Sequence, residues 1–203
     1  MRVIYEKIDK QLMADMPRAL FEGRIEVVES ESAAERAVAF LLSEPILGID
    51  TETRPTFTSG AQNKVALLQV STHEVCFLFR LNHIGMTDSI LRLLSDTTIP
   101  KVGLSLHDDL MMLERRHSFQ RGTFIDLQQV VGEFGIQDRS LQKLYANLFG
   151  QKISKAQRLS NWEADILSES QKLYAATDAW ACIRIYEELQ QLDKEQIELI
   201  HNA

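Results

Sequence analysis

Ile46-Leu-Gly-Ile-Asp-Thr-Glu52 is the segment on which the architecture turns. Its apolar start reads as a strand, and residues two apart in a strand point to the same side of the sheet, so Asp50 and Glu52 share one face. Two further apolar runs follow, Val65–Ser71 and Val75–Arg80, with Thr72 to Glu74 between them. Their spacing makes them antiparallel neighbours joined by a turn, and a strand meander results. Around it, residues 24–28 read as an earlier strand and residues 32–43 as an Ala-rich amphipathic helix. Residues 87–95 read as a helix, 101–106 as a strand, 109–116 as a helix and 123–126 as a short strand. Helices dominate thereafter, and Ser168-x-x-Gln171 fits a capping box for the last one. Periodicity thus gives a mixed α/β sandwich.

Ahead of this pattern, Ile4, Ile8 and Leu12 recur at helical spacing before Met16 and Pro17. Residues 1–23 are therefore expected to form an N-terminal arm or helix docked on one domain spanning 24–203. The 203 residues, 45% hydrophobic and 25% charged, suffice for a single core. No apolar run is long enough to cross a bilayer, and Met1-Arg-Val-Ile-Tyr-Glu6 lacks the apolar core of a signal peptide. A cytoplasmic location and no membrane partner are expected. The two cysteines, Cys76 and Cys182, read as core thiols rather than a disulfide framework or a zinc set.

A second acidic element lies in Leu173-Tyr-Ala-Ala-Thr-Asp-Ala-Trp180. On a helix, Tyr174 and Asp178 stand one turn apart on one face. Asp178 lines up with Ala181 and Ile185, while Leu173, Ala176, Trp180 and Ile183 form an adjoining apolar stripe, so both flanks call for burial. An acid there needs a partner or a metal. The third element is Val102-Gly-Leu-Ser-Leu-His-Asp-Asp-Leu-Met-Met-Leu113, in which Asp108 and Asp109 open a helix packed through Leu110 and Leu113. Taken singly, each element has a plainer reading. Asp-x-Glu ends a strand, Tyr and Asp pair a half-buried ring with a solvated acid, and acids in a first helical turn favour the dipole.

Together and in this order, Asp50-x-Glu52, Asp109 followed by Leu113, and Tyr174-x-x-x-Asp178 resemble the DEDD superfamily of 3′→5′ exonucleases, in the branch with Tyr in its third motif. Leu159-Ser-Asn-Trp-Glu163 followed by Gln171-Lys-Leu-Tyr-Ala-Ala-Thr-Asp178 is similar to the Werner-type exonucleases more than to ribonuclease D. The resemblance implies a ribonuclease H-like fold, a mixed sheet flanked by helices. It also implies phosphodiester hydrolysis from the 3′ end of a nucleic acid with two Mg²⁺ or Mn²⁺ ions. By the same resemblance Asp50 bridges the ions, Glu52 and Asp178 complete the site on the nucleophile side, and Asp109 holds the second ion through water. Tyr174 orients the attacking water, since a phenol with an ordinary pKa near ~10 is a poor base at neutral pH. Of Asp108 and Asp109, the acid one turn before Leu113 is the one expected to face the cluster.

The net charge of −7 does not exclude a polyanionic partner, because bound cations neutralise part of it and basic residues can be local. Lys143, Lys152, Lys155 and Arg158, with Asn161, precede the Tyr-x-x-x-Asp helix and are the preferred contacts for a single strand or 3′ end. Arg115, Arg116, His117 and Arg121 form a second concentration. The loop 54–64, rich in Thr, Ser, Gly and Asn, either edges a substrate channel or is a plain connection. Werner-type resemblance favours DNA. The alternatives are ribonuclease D-like processing of RNA 3′ ends and an inactive nucleic-acid-binding module of the same fold.

Overall fold

The computed structural model describes residues 2–56 and 63–201. In chain order the elements are β1 (Arg2–Tyr5), β2 (Arg24–Val28), α1 (Glu31–Leu41), β3 (Leu47–Thr53), β4 (Val65–Ser71) and β5 (Val75–Arg80). Then come α2 (Leu81–Ile84), α3 (Asp88–Ser95), β6 (Lys101–Gly103), α4 (Leu106–Arg116), β7 (Phe124–Asp126) and α5 (Leu127–Gly132). The last are α6 (Leu141–Phe149), α7 (Glu169–Gln191) and β8 (Ile197–Ile200).

Six strands form one sheet in the order β2-β5-β4-β3-β6-β7. The β3-β4-β5 meander is antiparallel, whereas β2 joins β5, and β6 and β7 extend β3, in parallel, so β4 alone runs against the rest. This is the mixed α/β sheet flanked by helices expected from the sequence. One face packs Ile49, Leu68, Val70 and Phe79 against α1, α3 and α4. The other packs Leu67, Cys76 and Leu78 against Ala175, Ala176 and Ala179 of α7.

Helix α7 owes its start to Ser168, which accepts from the Gln171 backbone while the Gln171 side chain accepts from the Ser168 backbone, the expected capping box. Its alanines bring it unusually near the sheet. A Cβ on Gly48 would stand 1.9 Å from the Ala179 carbonyl oxygen, so only glycine admits the helix at this crossing.

The N-terminal segment departs from the helical expectation. Residues 2–5 form β1, paired in parallel with β8, and no helix occurs among described residues 6–23. Side chains from the domain occupy the backbone groups a helix would need. Asn147 Oδ1 accepts from the Tyr5 N–H at 2.9 Å, and its Nδ2 donates to the Tyr5 carbonyl at 2.7 Å. Asp138 accepts from the Ile8 N–H at 2.8 Å, and Lys143 donates to the Ile8 carbonyl at 3.0 Å. Ile4 and Ile8 are buried as the pattern required, but Leu12 is exposed. Strand β6 stops at Gly103 and α4 begins at Leu106, earlier than the sequence suggested, because Asp126 accepts from the N–H groups of both Ser105 and Leu106 at 2.9 Å. Ser105 turns there with φ +60°, a left-handed conformation fixed by that contact.

Gly48→Ala should lower stability by roughly 1–3 kcal/mol or more, the scale of overpacking a tight contact. Gly132→Ala, where nothing lies within 4 Å of the added carbon, should be neutral or slightly stabilising. Urea unfolding of both variants checks this, and equal stability of the two would show that α7 does not depend on glycine at the crossing.

Candidate active site

Strand β3 delivers Asp50 and Glu52 to the sheet face covered by α7, and α7 delivers Asp178 onto the same spot. One carboxylate oxygen from each lies within 4.8 Å of the others. Asp109, from the first turns of α4 on the opposite face, reaches the rim and accepts a hydrogen bond from the Thr51 hydroxyl. It stands just outside the group of three, but its charge acts on both Asp50 and Glu52. Asp108 is exposed. Tyr174 lies beside the cluster, its hydroxyl donating to Asp178 and its ring 6.0 Å from that of the fully buried Trp162.

Burial and mutual repulsion dominate the electrostatics. Burial, then the charges of Asp178 and Asp109, raise Asp50 well above the ordinary carboxyl range. Burial and the three neighbouring acids push Glu52 up to about 10. Asp178 rises to about 7 through burial, although the Tyr174 hydrogen bond and Lys155 pull it back. Burial and the adjacent carboxylates drive the Tyr174 phenol upward, so it stays protonated and acts as a donor at neutral pH. Desolvated acids at this separation are costly unless a cation joins them. Hard oxygen donors converging in this way fit Mg²⁺ or Mn²⁺.

The basic residues divide. Lys155 and Arg158 are exposed and near enough to lower the pKa of Asp178 and Glu52 respectively. Lys152 and Lys143 do not stand free: Lys152 donates to the Ala14 carbonyl, and Lys143 pairs with Asp138 at 3.0 Å, both securing the N-terminal segment. Asn161 uses its side-chain oxygen to accept from the Glu163 N–H at 3.1 Å. In the other concentration, Arg116 donates to the Val65 carbonyl and Arg121 pairs with Glu114 at 2.6 Å. Of the loop 54–64, residues 57–62 lie outside the described residues; at its edges Arg54 meets Glu163 at 3.3 Å and Asn63 donates to the Arg54 carbonyl at 2.8 Å.

Three contributors escaped the sequence reading. Thr51 alternates away from its acidic neighbours and so meets Asp109 from the other face. Asp126 caps α5 through the Gln128 N–H and also holds the start of α4; its place between a strand and a helix was a legible capping signal, its second role was not. Gln69, paired across the sheet with Asp50, is fully buried and its amide has no partner among the described residues.

A family described as 3′-5′ exonuclease matches residues 25–192. The chain belongs to the 3′-5′ exonuclease family. Among relatives of this family, the mouse bifunctional 3′-5′ exonuclease/ATP-dependent helicase WRN is 30% identical over 97% of this chain, which spans 15% of that protein. The Drosophila melanogaster exonuclease 3′-5′ domain-containing protein 2 is 34% identical over 83% of this chain and 30% of its own length. The chain therefore covers less than a third of either relative. Among solved structures, the Aedes aegypti Nibbler EXO domain superposes with a TM-score of 0.75 at 21% identity, covering 90% of this chain and 97% of that one. Escherichia coli RNase D gives 0.74 at 22% identity, over 82% and 44%. These two likenesses establish the exonuclease fold. No helix among the described residues is long and apolar enough to cross a membrane.

Carboxyl groups whose pKa rises on folding stabilise the folded state while protonated, and that contribution is lost as pH climbs through the folded value. With a chelator present, thermal stability should therefore decline from the ordinary carboxyl values near ~4 up to about 7 for Asp178 and about 10 for Glu52. Added Mg²⁺ or Mn²⁺ should restore it and release protons, measurable by calorimetry in buffers of different ionisation enthalpy. Cation binding without proton release at pH 6 would contradict the raised values.

Proposed function

We propose that this chain hydrolyses phosphodiester bonds from the 3′ end of a nucleic acid, using two divalent cations, Mg²⁺ or Mn²⁺, held by Asp50, Glu52, Asp109 and Asp178. The observation that carries the reading is the convergence of Asp50, Glu52 and Asp178 beside a hydroxyl-donating Tyr174 in a chain of the exonuclease family. Cations at these carboxylates would lower the pKa of the attacking water and stabilise the leaving oxygen. The residues themselves supply position and charge. Tyr174, backed by Trp162 and donating its hydroxyl to Asp178, orients a water by accepting a hydrogen bond from it and does not serve as the base. Thr51 and Asp126 fix where Asp109 stands, and Lys155 and Arg158 draw phosphates toward the acidic cluster. DNA is the favoured substrate, supported by the resemblance of Leu159-Ser-Asn-Trp-Glu163 and Gln171-Lys-Leu-Tyr-Ala-Ala-Thr-Asp178 to the Werner-type exonucleases. RNA is the second reading, since one matched structure is that of Trypanosoma brucei RNase D in complex with RNA U12. Turnover of matched DNA and RNA oligonucleotides labelled at the 5′ end decides between them.

Asp50→Asn and Asp109→Asn should each reduce Mg²⁺-dependent cleavage by ~100-fold or more, the scale of losing a group that acts on transition-state charge. Asp108→Asn should cleave near the wild-type rate and cost only about 0.3–1 kcal/mol of stability through the helix dipole. Near-normal cleavage by Asp50→Asn would sink the metal assignment, and a reversed order for the two adjacent acids would show that α4 is presented in another register.

Replacing Lys155 and Arg158 with Ala should weaken single-strand binding and flatten its salt dependence by about 0.7 in log–log slope for each phosphate no longer neutralised. An unchanged slope would place the nucleic-acid path elsewhere.

A further inference from the structure

On another side of α7 from the acidic cluster lies a cavity of about 490 Å³, walled by residues 18–23, the β4–β5 turn, α6 and α7. Arg184, six residues beyond Asp178, is about 240° round the helix from it at 100° per residue. The cavity therefore opens away from the carboxylates. Its volume falls in the range of small-molecule sites, roughly 300–1,000 Å³.

Its polar groups are arranged for an anion. The Arg184 guanidinium stacks on Phe149 at 5.3 Å and on Trp180 at 5.4 Å, and it has no ion pair among the described residues. Ring contacts hold a guanidinium in one plane with its N–H edge available, which lowers the ordering cost of a forked contact to phosphate. Tyr145 is 1% exposed, yet it lines this cavity and its hydroxyl has no hydrogen-bond partner among the described residues. No protein group among the described residues satisfies that hydroxyl, so its partner comes from the cavity, as solvent or as ligand. Arg184 is close enough to act on the Tyr145 hydroxyl electrostatically, so the two converge on one region. Arg18 adds a second guanidinium to the wall; its side chain makes no ion pair among the described residues. The opposing charges are modest. Glu22 lines the mouth, and His73 faces Glu187 at 2.9 Å.

We infer that this cavity binds a phosphate-bearing ligand of mononucleotide size, with Arg184 and Arg18 on the phosphate, Tyr145 donating its hydroxyl to it, and Trp180 and Phe21 forming the apolar wall against which the rest of the ligand lies. Phe21 and Trp180 already pack together, their centroids 6.1 Å apart. The site is separate from the acidic cluster, and the inference does not rest on the nuclease reading.

The test is calorimetric titration of the intact chain with adenosine 5′-monophosphate, adenosine and inorganic phosphate in the presence of EDTA. EDTA removes the cations through which the acidic cluster would hold a phosphate, and Lys155→Ala with Arg158→Ala removes the basic residues beside it, so binding that persists in that variant belongs to the cavity. The expected result is saturable binding of the monophosphate, weaker binding of phosphate and none of adenosine. Tyr145→Phe, which removes only the hydroxyl, should weaken the monophosphate about tenfold, as losing a hydrogen bond to a charged group does. Arg184→Gln should weaken it at least as much, while Asp50→Asn leaves it unchanged. Near-wild-type unfolding midpoints for Tyr145→Phe and Arg184→Gln separate loss of binding from loss of fold. Absence of binding by the wild-type chain overturns the inference. So does wild-type affinity in Tyr145→Phe and Arg184→Gln, adenosine matching the monophosphate, or phosphate matching the monophosphate.

Discussion

The close crossing of α7 over β3, where Gly48 lies against the Ala179 carbonyl, sets the positions of Asp50, Glu52 and Asp178 relative to one another. Helix and strand meet here without side chains between them, so the carboxylate that follows Gly48 by two residues and the one that precedes Ala179 by one are forced together. Alanines at 175, 176 and 179 sustain the approach along one face of the helix. Close packing of this kind has little compliance, because interiors are as dense as organic crystals. The geometry is thus a property of backbone contact more than of side-chain choice.

That arrangement opposes stability. Three carboxylates share a desolvated pocket; Asp178 and Asp109 raise the pKa of Asp50, and all three of these raise that of Glu52. The fold tolerates this because the surrounding shell is apolar and extensive, and because Tyr174 and Thr51 hydrogen-bond two of the acids in place. Strain tolerated at a site and compensated in the scaffold is the usual relation between function and marginal stability.

Much of this was legible in the chain. The alternating acids of β3, the meander limits at Val65–Ser71 and Val75–Arg80, and the Ser168 capping box follow from local chemistry, and the structure matches them closely. The burial of Asp178 followed from apolar residues on both of its flanks. What was not legible depended on partners distant in sequence. Residues 4–20 carry a helical pattern, yet Asn147, Asp138 and Lys143 occupy the backbone groups of Tyr5 and Ile8 and hold a strand followed by turns in place of a helix. Lys152 read as a phosphate contact because its charge was visible and the Ala14 carbonyl that receives it was not. Strand β8 carries too few residues to declare itself without β1 beside it.

The pairing of β1 with β8 orders events during folding. Arg2 lies beside Ile197, so the backbone groups of β1 are matched only by a strand very distant in sequence. Closing so long a loop carries a large entropic cost that only a preassembled sheet and helix layer can offset. Strands β1 and β8 therefore pair only once the layers between them have formed, and a two-stranded sheet of this kind opens at lower cost than the six-stranded one.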